Sequence, residues 1–238
     1  MQYRDARPPQ FKVILLGESG VGKTSLFQRF RSRHIPSTPK SALMLDRYQY
    51  SRQFAVGPDS LPVQLDLWDT ANMERARSLT ESYFRETAAT LLVYDIADCI
   101  SLKRIPYWQQ ELTYHKSDST TSRSFLIGNK TDLEVAGYDS DHTTISYAKE
   151  VIGKQCKDVI GVFEVSAKED YCVERMFHAV AEHLWQCHVV ERKKSTLSKG
   201  GCPPELIEER VEQAPSVRLG DDAASTSSSA TRKGWGCC

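Results

Sequence analysis

Short apolar runs and amphipathic stretches alternate along this chain, and the alternation predicts its elements. Residues 11–16, Phe11-Lys12-Val13-Ile14-Leu15-Leu16, read as a buried strand, and Thr24 through Phe30 as the helix after it. The polar stretch His34 to Ser41 holds Pro36 and Pro39, which exclude helix. Residues 43–54 predict an edge strand that turns at Gly57-Pro58-Asp59-Ser60 into a second strand over 63–68, an antiparallel pair at the sheet edge. Further buried strands are predicted over 91–95, 125–128 and 162–165. Trp108, Leu112 and His115 share one helical face, with Pro106 either kinking that helix or lying in its first turn. Thr144 is placed to cap a helix over 145–152. Met176, Phe177, Val180, Leu184 and Cys187 line one face of an amphipathic closing helix over 173–190, where the aromatics read as core. The expected fold is α/β: a doubly wound, mainly parallel sheet with one antiparallel edge strand and helices on both faces.

Composition divides the chain without adding a second folded domain. With 238 residues it can bury one sizeable core, assigned to residues 10–190, after a flexible N-terminus over 1–9. From Glu191 to Cys238 the sequence is charged and Ser-rich, with too little apolar surface to fold alone, and is expected to be a disordered tether. A short stretch within it, Pro204 to Val211, predicts transient helicity. Thirty-one basic residues balance 31 acidic ones, so nothing suggests bulk nucleic-acid binding. The first ten residues lack the apolar stretch of a secretory signal, and no apolar run approaches membrane-spanning length. Seven cysteines lack metal-ligand spacing; the five internal ones read as reduced thiols, and Cys237-Cys238 stand together at the end. The acidic stretch Glu134 to Asp141 lacks the ligand spacing of a Ca²⁺ loop and reads as solvated.

The chemistry centres on Gly17-Glu18-Ser19-Gly20-Val21-Gly22-Lys23-Thr24, followed by Ser25. This is a complete G-x-x-x-x-G-K-[ST] loop between a strand and a helix, the context such a loop requires. Its glycines let successive N–H groups face one anion, the helix adds its positive end, Lys23 reaches phosphate, and the Thr24 hydroxyl can ligate Mg²⁺. Asp69, at the end of the strand over 63–68, fits either a Mg²⁺ ligand acting through water or a cap for the next helix. The strand over 125–128 delivers Asn129-Lys130-Thr131-Asp132, and the Asp132 carboxylate can accept from both the N1–H and the exocyclic amine of guanine.

Trp68-Asp69-Thr70-Ala71 with Glu74-Arg75, Asn129-Lys130-Thr131-Asp132 and Ser166-Ala167-Lys168 resemble, in order, motifs of Ras-type small GTPases over about residues 10–190. Arg75-Ala76-Arg77-Ser78-Leu79-Thr80, Tyr83-Phe84-Arg85, Leu92-Val93-Tyr94-Asp95-Ile96 and the double-cysteine end are similar to the Rab branch. The resemblance implies GTP and GDP as ligands with Mg²⁺. It places Lys130 along the base, ties Asn129 to the phosphate loop, and sets Ser166, Ala167 and Lys168 at the guanine carbonyl edge. It also implies prenylation of Cys237 and Cys238 by the prenylation machinery. The expected location is the cytoplasmic face of an intracellular membrane, with a cytosolic pool. Effectors of vesicle traffic and regulators would engage the switch regions.

The chain departs from that pattern in three places. Asn72-Met73 stands where Rab proteins carry Gly-Gln, so weak intrinsic hydrolysis is expected. The family's Mg²⁺-ligating threonine has its nearest match in Thr38, with Ser37, Ser41 or no ligand as alternatives. Ile35, beside His34, replaces the aromatic that covers guanine. A constitutively GTP-bound adaptor that does not cycle is the alternative reading, and a P-loop kinase or ATPase is disfavoured by Asn129-Lys130-Thr131-Asp132, which reads guanine.

Overall fold

The computed structural model describes residues 7–33, 49–70, 81–115, 123–133, 148, 150, 152, 156 and 159–199. The expectations placed on His34 to Ser41, Asn72, Met73, Arg75 to Thr80, Glu134 to Asp141, Thr144, Pro204 to Val211, Cys237 and Cys238 lie outside those residues. Six strands form one sheet in the order β2-β3-β1-β4-β5-β6. They are β1 (Gln10–Leu16), β2 (Gln49–Val56), β3 (Leu61–Trp68), β4 (Thr87–Asp95), β5 (Arg123–Asn129) and β6 (Val159–Glu164). Only the β2–β3 pair is antiparallel; β3, β1, β4, β5 and β6 run parallel. This is the expected doubly wound sheet with one antiparallel edge strand. Gly57, in the left-handed region at φ 71°, opens the turn between β2 and β3, which Ser60 N–H closes on the Gly57 carbonyl at 3.2 Å.

Alternation along the central strands divides the interior into two cores. Val13 and Leu15 of β1, Leu91 and Val93 of β4, and Phe125 and Ile127 of β5 face one side. There they meet Leu26, Phe27 and Phe30 of helix α1 (Lys23–Ser32) and the apolar stripe Met176, Phe177, Val180 and Leu184 near the start of the closing helix. Ile14, Leu16, Leu92, Tyr94 and Leu126 face the other side. They pack on Tyr83 and Phe84 of α2 (Glu81–Phe84), Leu102 of α3 (Cys99–Lys103), and Trp108 and Leu112 of α4 (Ile105–His115). Burial on both faces explains why these parallel strands read as unbroken apolar runs.

Several boundaries differ from the sequence reading, each for a local reason. Pro106 lies in the first turn of α4, where the missing N–H costs no helical bond, and does not kink the helix. Helix α3 was not anticipated; the Asp98 carboxylate caps it by accepting from Ile100 N–H at 2.9 Å. The closing helix, α5 (Val173–Lys199), continues past the expected end at Val190. Its Glu191, Arg192 and Lys193 are exposed. Glu191, Arg192, Lys193 and Lys194 are good helix formers, so intrinsic propensity carries the helix on past Val190. Cys99 and Cys187 are free thiols as expected, whereas Cys172 is disulfide-bonded, a pairing that spacing does not reveal.

Phe30 anchors α1 to the rest of the first core. Its ring lies 4.7 Å from Phe177, 6.1 Å from Phe54 and 6.2 Å from Tyr50, centroid to centroid. Phe30→Ala should therefore lower the unfolding free energy by about 3–5 kcal/mol, read from urea denaturation at unchanged m-value. A loss below ~1 kcal/mol would show that the cluster closes over the gap.

Candidate functional site

The parallel strands deliver their C-terminal ends to one rim, at the point where the chain passes from the β1–β3 side of the sheet to the β4 side. Gly17 follows β1 and crosses the β4 backbone so closely that a Cβ there would lie 2.1 Å from the Val93 carbonyl oxygen. A Cβ on Gly22, at φ 97°, would lie 2.2 Å from Asn129 Nδ2, so both positions require glycine. Around Gly20 a Cβ would meet nothing within 4 Å, which leaves the loop open on that side. Lys23 is only 4% exposed, and its ammonium donates to the carbonyls of Gly17 at 2.9 Å and Glu18 at 2.7 Å. That curls the loop around the start of α1. Ser19 and Val21 lie in the loop, and Thr24 and Ser25, both half-buried, follow in the first turn of the helix.

Asn129 sits between this loop and two others. Its Nδ2 donates to the Val21 carbonyl at 2.9 Å, and its Oδ1 accepts from Ala167 N–H at 3.0 Å, both bonds buried. Lys130 next to it is in the left-handed region at φ 71°, and its ammonium lies 2.7 Å from Asp95 Oδ2. Asp95 Oδ1 in turn accepts from Ala97 N–H at 2.9 Å, so the carboxylate that holds Lys130 is itself fixed. Asp132 Oδ1 accepts from Ser166 Oγ at 2.5 Å, and Lys168 Nζ stands 3.4 Å from Asp132 Oδ2. Burial would raise the Asp132 pKa, but these donors outweigh it and hold the carboxyl below the usual carboxylate range. The group is thus an ionised acceptor at neutral pH, suited to a base edge that offers two donors.

Asp69 follows β3 directly and is fully buried, and its main-chain carbonyl accepts from Tyr83 Oη. The Thr70 hydroxyl donates to the Leu15 carbonyl at 3.0 Å and locks the ends of β1 and β3 together. One rim therefore gathers a glycine cradle with a buried ammonium, a buried carboxylate and an ionised acceptor pocket. The cradle, open at Gly20, fits a phosphate chain, and the buried Asp69 carboxylate and the Thr24 hydroxyl are oxygen donors of the hard type that suits Mg²⁺.

Two residues of this site escaped the sequence reading. Asp95 closes the buried strand β4, where nothing in the local sequence marks it as the partner of Lys130. Arg29 is 138 residues from Ala167, yet its Nε donates to the Ala167 carbonyl at 2.5 Å and its Nη2 to the Lys168 carbonyl. A basic residue in the last turn of α1 carries no local signal of that reach; only its place three residues after the buried Leu26 sets it beside the inward face.

The model of the Ras family matches residues 12–186. The chain is similar to the GTP-binding protein yptV2 of Volvox carteri, 34% identical over 73% of this chain and 74% of that protein. It is similar to the Ras-related protein RABE1e of Arabidopsis thaliana, 30% identical over 95% of this chain and 91% of that protein. Human Ras-related protein Rab-19 is 33% identical over 73% of this chain and 75% of its own length.

Asn129→Ala leaves the Val21 carbonyl and the Ala167 N–H buried without their partner. The nucleotide-free protein should lose about 2–4 kcal/mol of stability in urea, since each stranded group costs about 1–3 kcal/mol. A loss under ~1 kcal/mol would mean that the three loops hold their places without it.

Proposed function

The chain belongs to the Rab family of Ras-like small GTPases, and on that premise we propose that it is a membrane-tethered GTP-binding protein with weak intrinsic hydrolysis. Its effectors would be proteins of vesicle traffic. The observation that carries this reading is the Asn129 side chain, which fastens the phosphate-type loop at Val21 to the base-type loop at Ala167. A phosphate cradle and a base pocket held at fixed separation suit a whole nucleotide better than either fragment.

In this reading the N–H groups of the loop from Gly17 to Gly22 and the Lys23 ammonium hold the phosphates, and Asp132 accepts from the base. Lys130, pinned by Asp95, lies along the base, and Ser166, Ala167 and Lys168 close its carbonyl edge. Thr24 and Asp69 hold Mg²⁺, with Thr38 as a further candidate ligand. When bound, that ion neutralises charge on the phosphate oxygens. A Gln at position 73 would orient the attacking water by hydrogen bonding, but a methionine thioether is a weak acceptor with no donor. Asn72 adds a Cβ where a glycine's freedom serves to turn an N–H onto the terminal phosphate. The same two residues favour the second reading, a GTP-bound adaptor that signals by presence and does not cycle.

Single-turnover hydrolysis of bound GTP separates the two. Wild type should be about 10²–10³ slower than the Asn72→Gly, Met73→Gln double variant, the cost of a lost positioning contact. Equal rates would assign the water to another residue. GTP in the protein as purified would support the adaptor reading, GDP a slow cycle, and ATP would exclude both.

Tethering is tested separately. Two prenyl chains on Cys237 and Cys238 give stable anchoring where one gives marginal binding, and Arg232-Lys233 add roughly 1 kcal/mol each at an anionic surface. Protein from a eukaryotic host should show both additions in the mass of its C-terminal peptide, and Cys237→Ser with Cys238→Ser should move it from the membrane fraction to the soluble one. Unmodified wild type in the membrane fraction would refute the lipid anchor.

A further inference from the structure

Arg29 does more than join α1 to a distant loop. Its side chain is 13% exposed. The guanidinium donates through Nε to the Ala167 carbonyl at 2.5 Å, through Nη2 to the Lys168 carbonyl, and through Nη1 to the Arg33 carbonyl at 2.7 Å. Nη1 also stands 3.9 Å from Asp170 Oδ2. A guanidinium is planar, so its forked donors fix the directions of the carbonyls they reach.

A trans peptide points its N–H opposite to its C=O. Holding the Lys168 carbonyl toward α1 therefore aims the Glu169 N–H the other way, and that N–H donates to Ser166 Oγ at 3.0 Å. A hydroxyl has a single proton to give. With its oxygen already accepting from Glu169, Ser166 directs that proton to Asp132 Oδ1 at 2.5 Å. Ala167 is meanwhile gripped at both ends, its N–H by Asn129 and its carbonyl by Arg29.

We infer that Arg29 is a positioning residue for base selectivity: through the Lys168–Glu169 peptide and Ser166 it sets the orientation of the Asp132 carboxylate, and so the preference for a purine that carries an exocyclic amine. This rests on the reading of Asp132 as the group that accepts from the base.

The experiment compares the affinities of GDP and inosine diphosphate, which lacks only that amine. Phosphate and ribose contacts are common to both and cancel in the ratio, so loss of general stability does not move it. Arg29→Ala should reduce the GDP preference roughly tenfold, the worth of one hydrogen bond to a charged group. Arg29→Lys, which keeps the charge but not the fork, tests the same point if the alanine variant does not fold. Ser166→Ala should reduce the preference similarly, and the Arg29→Ala, Ser166→Ala double variant should reduce it no further, because both act along one route. Arg33→Ala, which removes only an exposed link to Glu174, should leave the ratio unchanged.

An unchanged ratio in both Arg29 variants, or additive losses in the double variant, would overturn the inference. If the wild type distinguishes the two nucleotides and Asp132→Asn abolishes that while the Arg29 variants do not, the base reading stands and the role of Arg29 falls. If the wild type binds both equally, the base reading fails and takes the inference with it.

Discussion

The amide of Asn129 satisfies two buried main-chain groups at once, the Val21 carbonyl and the Ala167 N–H. The rest of the rim is placed relative to those two bonds. A buried amide that donates on one side and accepts on the other cannot slide, because either shift would strand a polar group away from water. Gly22 is required for the same reason, since a Cβ there would occupy the space of Asn129 Nδ2. The residue thus sets the distance between the cradle after β1 and the pocket after β5 and β6, and the close packing of the strands sustains it.

That sustaining structure is the two-sided core. Successive residues of β1, β4 and β5 feed opposite faces, so each strand is clamped between layers of helix and cannot shift register without turning a whole apolar set into the wrong layer. Thr70, bonded to the Leu15 carbonyl, and Gly17, pressed on Val93, carry this rigidity to the rim. The loops there follow strand ends whose positions the core has already decided.

Charged groups at the rim are arranged in pairs that restrain one another. Asp95 holds Lys130, Ser166 and Lys168 hold Asp132, and Arg29 holds the backbone from which Ser166 acts. Each of these ties preorients a group that would otherwise lose rotamer freedom when a ligand binds, and such preorganisation raises affinity by reducing that cost. On the α4 side, by contrast, His115 stacks on Phe84 at 4.8 Å and stands 3.8 Å from Glu111 on its own helix.

The sequence by itself determined the parts whose chemistry lies within a few consecutive residues. Gly17 to Thr24 and Asn129 to Asp132 are legible because spacing along one turn or loop already fixes which groups can meet one ligand. The apolar runs were legible because burial on both faces leaves few polar positions within them. What only the tertiary structure decided are bonds that cross the sheet without any such signal: Arg29 to Ala167 and Asp95 to Lys130. Such a bond depends on which strand ends become neighbours and on which way a peptide plane is turned, and no local pattern encodes either. The left-handed backbone at Lys130 and the cap that starts α3 were hidden for a related reason. Each is a small local preference whose outcome was set by packing around it.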